Sequence, residues 1–146
     1  MKKFAVLTVA LLFVFALTGR ADNDRPITVD QLPQNAQQFI NQYFPKAKVA
    51  YAKEEREFLD TRYEVVFANS VKIEFLKDGE WKEVDCKYSA VPAAIVPSAI
   101  AKYVEGNYEN VQIVKIDRSK REYDVDLSNK LELTFDSKFN LIDIDD

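Results

Sequence analysis

Acidic side chains supply most of the chemistry this sequence offers. Asp78-Gly79-Glu80 forms one oxygen-rich group, and the tail Asp143, Asp145 and Asp146, with Asp136 and Asn140 near in sequence, forms a second. Calcium takes six to eight hard oxygen ligands, so Asp78, Glu80, Asp143 and Asp145 are the candidate metal ligands. Two features weigh on the other side: the spacing of an EF-hand loop is absent, and Asp-Gly is also what a tight hairpin needs for its positive φ angles. Asp143 and Asp145 are two apart and share one face of a strand, with Ile142 and Ile144 on the other. Such a charged edge strand also discourages sheet-to-sheet pairing. Carboxylate pairs are a further acid–base option. Glu64 with Glu74, or Asp124 with Glu132, facing one another across strands would resemble the pairs of glycosidases, although any acidic chain offers such pairs.

The chain contains no histidine. Ser-His-Asp and Cys-His catalysis are therefore excluded, together with every histidine-ligated zinc site. The single cysteine, Cys86, sits in the alternating stretch Trp81-Lys-Glu-Val-Asp-Cys86 and has no histidine to activate it; it reads as a small buried hydrophobe. Arg118-Ser-Lys-Arg121 is a small basic cluster at an expected hairpin tip, either a solvated turn or a rim contact for an acidic partner. Among the aromatic residues, Phe39, Tyr43, Tyr63, Phe67, Phe75, Tyr123 and Phe135 fall at core positions. Tyr51, Trp81, Tyr88 and Tyr108 are less forced inside and are the candidate partner-binding anchors, since Trp and Tyr are favoured at interfaces.

These groups have to be carried by a chain of 146 residues with 20 basic and 24 acidic side chains. Its start reads as a signal peptide over residues 1–21. Lys2 and Lys3 are followed by an apolar run from Phe4 to Leu17, broken only by Thr8, and then by Thr18-Gly19-Arg20-Ala21 with small residues at −3 and −1 of a cut after Ala21. The run is shorter than the roughly 20 residues of a membrane-spanning helix, so no stable membrane insertion is expected after cleavage. The remaining chain keeps 17 basic and 24 acidic side chains, because Lys2, Lys3 and Arg20 leave with the leader. That acidity argues against nucleic acid and anionic membranes as partners. The expected location is the periplasm or the medium. A chain of this length buries about two thirds of its unfolded surface, so it can hold a core without a disulfide.

The mature part reads as one module written twice. Leu32-Pro33 and Val96-Pro97 each precede helix-spaced apolar residues: Ala36, Phe39, Ile40 and Tyr43 in the first copy, Ile100, Tyr103 and Val104 in the second. At an offset of 60, Tyr63-Glu-Val-Val-Phe67 answers Tyr123-Asp-Val-Asp-Leu127, and Val71-Lys-Ile-Glu-Phe75 answers Leu131-Glu-Leu-Thr-Phe135. The helices are offset by 64, which places about four extra residues near Lys53-Glu-Glu-Arg56 in a longer first hairpin. The expected elements are helices at 33–44 and 96–105. The expected strands are 48–53, 61–68, 71–77 and 80–86 in copy one, and 111–118, 121–128, 130–136 and 139–145 in copy two. The fold class is α+β: a tandem repeat of a helix plus a four-stranded antiparallel sheet, as residues 22–88 and 89–146.

The segments LPQNAQQFINQYFP, YEVVF, VKIEF and DGEWKEVD, with VPSAIAKYVEGNY, YDVDL, LELTFD and FNLIDID, resemble the PepSY-like, β-lactamase-inhibitor-like family of exported bacterial proteins. The resemblance covers essentially the whole mature chain. It implies the fold of β-lactamase inhibitor proteins, in which two such units build one concave sheet surface, and an exported location. It carries no contact residues over. The expected function is that of a non-enzymatic periplasmic binding or regulatory protein, a protein-interaction or enzyme-inhibitor module using an open sheet face. Its expected partner is another exported or cell-envelope protein. The alternatives are a calcium-binding or calcium-responsive periplasmic protein and a hydrolase built on paired carboxylates. No cofactor is expected unless it is calcium.

Overall fold

The computed structural model describes residues 23–146. The signal-peptide reading of residues 1–21 lies outside the described residues. Nine antiparallel strands form one sheet whose order follows the chain from β1 to β9. They are β1 Asp24–Ile27, β2 Val49–Glu57, β3 Asp60–Phe67, β4 Lys72–Leu76, β5 Trp81–Asp85, β6 Ile113–Arg118, β7 Glu122–Leu127, β8 Glu132–Asp136 and β9 Leu141–Asp145. Two helices, α1 Gln34–Tyr43 and α2 Ser98–Asn107, precede β2 and β6. A 3-10 turn at Val29–Gln31 joins β1 to α1.

Each helix starts where proline allows. Pro33 and Pro97 occupy the N-cap positions in extended conformation, and their carbonyls accept from the N–H groups of Gln37 and Ala101, both at 3.1 Å. A proline there gives up only an N–H that has no helical partner. The buried residues of α1 are Ala36 and Ile40, and those of α2 are Ile100 and Val104, one helical turn apart in each case. Phe39 packs edge-on to Phe75 at 5.7 Å between ring centroids, and Tyr103 does the same to Phe135 at 5.5 Å. Register places Phe75 and Phe135 on the same side of the sheet, so both helices lie on one face. That face holds the core, with Val65, Ile73, Phe75, Val84, Ile116, Val125 and Leu133 fully buried. Among the described residues no element covers the other face.

Four bulges interrupt the pairing, between Val49 and Tyr51, Glu74 and Phe75, Ile113 and Lys115, and Thr134 and Phe135. A bulge places two residues opposite one and shifts the in–out alternation by one position. On β5 the extra residue is Lys82, so Trp81 and Val84 both face the helices while Glu83 and Asp85 face away.

The sequence left one element out. Strand β1, Asp-Arg-Pro-Ile, carries no alternation of its own and includes a proline, which suits only an edge. It adds to β2 through four residue pairs and is fastened by Lys53–Asp24 and Arg25–Glu54, both at 3.0 Å. The β2–β3 hairpin is longer than the β6–β7 hairpin: β2 runs nine residues against six for β6.

Candidate functional site

The uncovered face is built from every second residue of nine short strands. Along β2, β3 and β4 its charges are interleaved, with Lys53, Glu55 and Glu57 on β2 against Asp60, Arg62 and Glu64 on β3, Lys72 and Glu74 on β4, and Asp24 on β1 facing Glu55. Lys53 reaches Asp24 at 3.0 Å and Glu55 at 2.7 Å, and Arg62 reaches Glu74 at 2.9 Å and Asp60 at 3.2 Å. At the centre, Glu83 on β5 lies between Lys115 at 2.8 Å and Lys72 at 3.4 Å. Burial alone would raise the Glu83 carboxyl, but the two ammonium groups outweigh it and hold it below the usual carboxylate range.

From β6 onward the interleaving is lost. Asp117, Glu122, Asp124, Asp126, Glu132, Asp136, Asp143 and Asp145 share the face, and within these strands Lys115 is its only cation. Asp126 stands opposite Glu132, and Glu132 opposite Asp145, so three carboxylates lie in register on adjacent strands. Burial raises the Asp126 carboxyl, Lys115 opposes the rise, and Asp85, Glu83 and Asp124 add to it. Glu132 is raised by partial burial and by the neighbouring Asp126 and Asp124. Like charges crowded on one surface favour the protonated forms, and a cationic partner would relieve them.

The expected calcium ligands do not come together. Asp78 and Glu80 lie at the β4–β5 turn, where Asp78 Oδ1 accepts from the Glu80 N–H at 3.0 Å and Glu80 pairs with Arg118 at 3.2 Å. Asp143 and Asp145 lie on β9, four strands from β5, a distance of about 19 Å at the usual strand spacing. Among the described residues no group of three or more Asp, Glu or Cys is arranged to hold a metal ion. Asp143 and Asp145 share the uncovered face, and Ile144 turns the other way. Ile142, expected beside Ile144, is instead the extra residue of the β9 bulge.

The aromatic anchors separate too. Tyr51 is exposed on the uncovered face and donates to Glu64 at 3.1 Å. Tyr88 is exposed after β5, and Tyr108 caps α2 and packs partly against the core. Trp81 is a correction: it is only 9% exposed and faces the helices. The β5 bulge turns it inward, and the Arg118 guanidinium covers its ring, 3.8 Å from the centroid, while Arg118 Nε donates to the Trp81 carbonyl at 2.8 Å. Arg118 is thereby withdrawn from the expected basic rim; Lys120 and Arg121 stay exposed.

Of the carboxylate pairs, Glu64 and Glu74 do face each other, but Lys53 lies 3.9 Å from Glu64 and Arg62 holds Glu74. Asp124 stands opposite Thr134, whose hydroxyl donates to it at 2.6 Å, and not opposite Glu132. Cys86 is buried, and burial, with Asp85 adding to it, pushes its thiol up to about 11.

A sequence model for the family described as "Putative beta-lactamase-inhibitor-like, PepSY-like" matches residues 61–143. The chain belongs to this PepSY-like family. Its solved relatives share the architecture across nearly their full length. A "putative periplasmic protein" of the DUF2874 family from Bacteroides vulgatus is 56% identical with a TM-score of 0.84, over 86% of this chain and 99% of its own. A "putative calcium-regulated periplasmic protein" from Bacteroides thetaiotaomicron is 58% identical with a TM-score of 0.83, over 84% of this chain and 97% of its own. A third, from Bacteroides vulgatus and described as of unknown function, is 38% identical with a TM-score of 0.80, over 84% of this chain and 99% of its own. No curated protein matches. This PepSY-like protein is accordingly periplasmic or secreted, and none of its described helices is long and apolar enough to cross a membrane.

Proposed function

We propose that this PepSY-like protein is a non-enzymatic periplasmic binding protein that engages a cationic surface of another envelope protein through its uncovered sheet face. Residues 1–21 serve as its export signal. Residues 22–88 and 89–146 are two copies of one helix-plus-four-strand unit, a reading supported by bulges at matching places in both halves. The observation that carries the functional reading is the charge asymmetry of that face: on β1–β4 the cations Lys53, Arg62 and Lys72 are interleaved with the acids, whereas on β6–β9 eight carboxylates are opposed only by Lys115 and, from β5, Lys82. A face whose carboxylates raise one another's pKa is matched by a partner that supplies cations, and such complementarity sets on-rate and specificity.

The test is capture from periplasmic extract with the purified protein and with a variant carrying Asp124→Asn, Asp126→Asn, Glu132→Gln and Asp143→Asn. The wild-type protein is expected to retain a partner that salt elutes, and the neutralised variant to lose it. Equal capture by both would end the assignment of this face.

A second reading is calcium responsiveness. It is favoured by the description of the 58% identical relative; the carboxylates of β7–β9 would have to draw together around the ion, since among the described residues no three are arranged to hold one. An ion that binds the folded chain raises its melting midpoint. A rise at millimolar calcium, abolished by Glu132→Gln, is the expected result under this reading, and an unchanged midpoint counts against it.

A further inference from the structure

Six hairpins link consecutive strands directly, and five of them are built by turn chemistry. Asn69, Asp78, Asn129 and Asp136 each accept, through a side-chain oxygen, from the N–H two residues on, and Ser119 does the same at the β6–β7 turn. Such Asx and Ser turns hold a reversal with a short polar side chain. The β2–β3 hairpin breaks the pattern: its two turn residues are Phe58 and Leu59. Leu59 adopts a φ of 64°, a left-handed conformation that is costly for a large non-glycine residue. Both side chains are almost wholly in water, at 92% and 91% exposure. They contribute nothing to the core and strain the turn that holds them.

The surroundings present this tip outward. Pairing with β1 ends at Glu55 and pairing with β4 ends at Arg62, so residues 56–61 form a two-stranded arm beyond the edge of the sheet. The arm is the extra length that the β6–β7 hairpin lacks, about 10 Å at the usual rise per residue. Its charges are also sorted. Arg56 is turned to Glu54 and Arg62 to Asp60 and Glu74. Glu57 has no ion-pair partner among the described residues, so the rim of the tip is acidic. An acidic rim is repelled by anionic lipid headgroups, which attract basic segments.

We propose that Phe58 and Leu59 are the anchor of a docking arm that inserts into an apolar pocket, edged by basic groups, on a partner protein. This contact is separate from the sheet face and goes beyond the function proposed above. A tip of this kind has the composition of an interface hot spot, an apolar plug inside a polar ring.

The test places the photo-crosslinker p-benzoylphenylalanine at position 58 or 59, and at 70 in another turn as a control, in the secreted full chain in its own cells. The expected result is an adduct with one protein from 58 and 59 and none from 70. That protein, purified, should bind the wild-type chain, with affinity falling as salt rises. It should bind the Phe58→Ala, Leu59→Gly double variant about tenfold or more weakly, while the melting midpoint of the variant does not fall. Loss of binding without loss of stability is what a purely structural tip would not show. No adduct, an adduct of twice the chain mass, unchanged partner affinity in the variant, or tip-dependent sedimentation with phosphatidylethanolamine–phosphatidylglycerol vesicles would each overturn the proposal. The neutralised-face variant separates the two readings, because it keeps the tip adducts if only the sheet-face assignment is wrong.

Discussion

Glu83 and Asp126 occupy the same face and are shifted in opposite directions: two ammonium groups outweigh burial at Glu83, whereas at Asp126 burial, with Asp85, Glu83 and Asp124 adding to it, outweighs Lys115. Their effects on stability have opposite signs. Glu83, with Glu54 between Arg25 and Arg56, is held low in the folded chain, so each contributes stability above its unfolded pKa that is lost as pH falls through the folded value. Asp126 and Glu132 are held high, so their ionisation costs stability as pH rises from the unfolded value through the folded one. Glu83→Gln is expected to lower stability at pH 7 by about 1–3 kcal/mol, since it leaves Lys72 and Lys115 without the negative charge they share. Asp126→Asn is expected to raise the melting midpoint at pH 7, and the gain should vanish in acid where both states are protonated. Melting curves of the two variants between pH 3 and 8 check both signs (~3 and ~8 bracket the carboxylate range).

At the scale of elements, the helices and their turns are fitted to one another at a few contacts. Gly79 takes φ +84° in the β4–β5 turn, and a Cβ there would collide with the Asn35 side chain and come within 2.8 Å of Pro33 Cβ. Asn35 in turn donates to the Asp78 carbonyl at 2.9 Å, so this turn locks the start of α1 onto the sheet. Gly79→Ala is expected to cost about 2 kcal/mol, from the left-handed backbone alone before the collision is added. Phe39 contacts Tyr43, Phe75 and Trp81 while remaining partly accessible. Phe39→Ala should cost about 3 kcal/mol, the lower end for an aromatic truncation. Denaturant titration of both variants checks the values, and an unchanged midpoint for Phe39→Ala would contradict the docking of α1.

Across the whole molecule, the seam between β5 and β6 is the narrowest pairing in the sheet. It has three residue pairs, Glu83–Asp117, Val84–Ile116 and Asp85–Lys115, where β2 and β3 share eight. Side chains reinforce it: Lys82 reaches Asp117 at 2.5 Å, and Glu83 bridges Lys72 and Lys115. Val84 and Ile116 are fully buried, so the core continues across the seam beneath the two helices. Hydrogen exchange is expected to show the amides of β5 and β6 protected with the sheet centre, and Lys115→Ala to speed exchange at the seam before it does so at β3. Equal exchange changes in both places would show that the seam is not the weak line.

The residues by themselves determined the periodic parts of this protein. Alternation marked eight strands, and apolar spacing after Pro33 and Pro97 marked both helices, because a buried face imposes its period on the chain wherever it runs regularly. The oxygen-rich tail and the carboxylates opposite the core positions were legible for the same reason. What only the tertiary structure decided lies where the period breaks or where partners are far apart in sequence. The Lys82 bulge turned Trp81 from an expected surface anchor into core, since one inserted residue reverses every side chain beyond it. Strand β1 exists through its pairing with β2 and has no pattern of its own. The junction of β5 with β6 joined the strands into one sheet and thereby set a surface of interleaved charges beside one almost wholly acidic. Net charge is a sum over residues, whereas a charged face depends on which strands lie side by side.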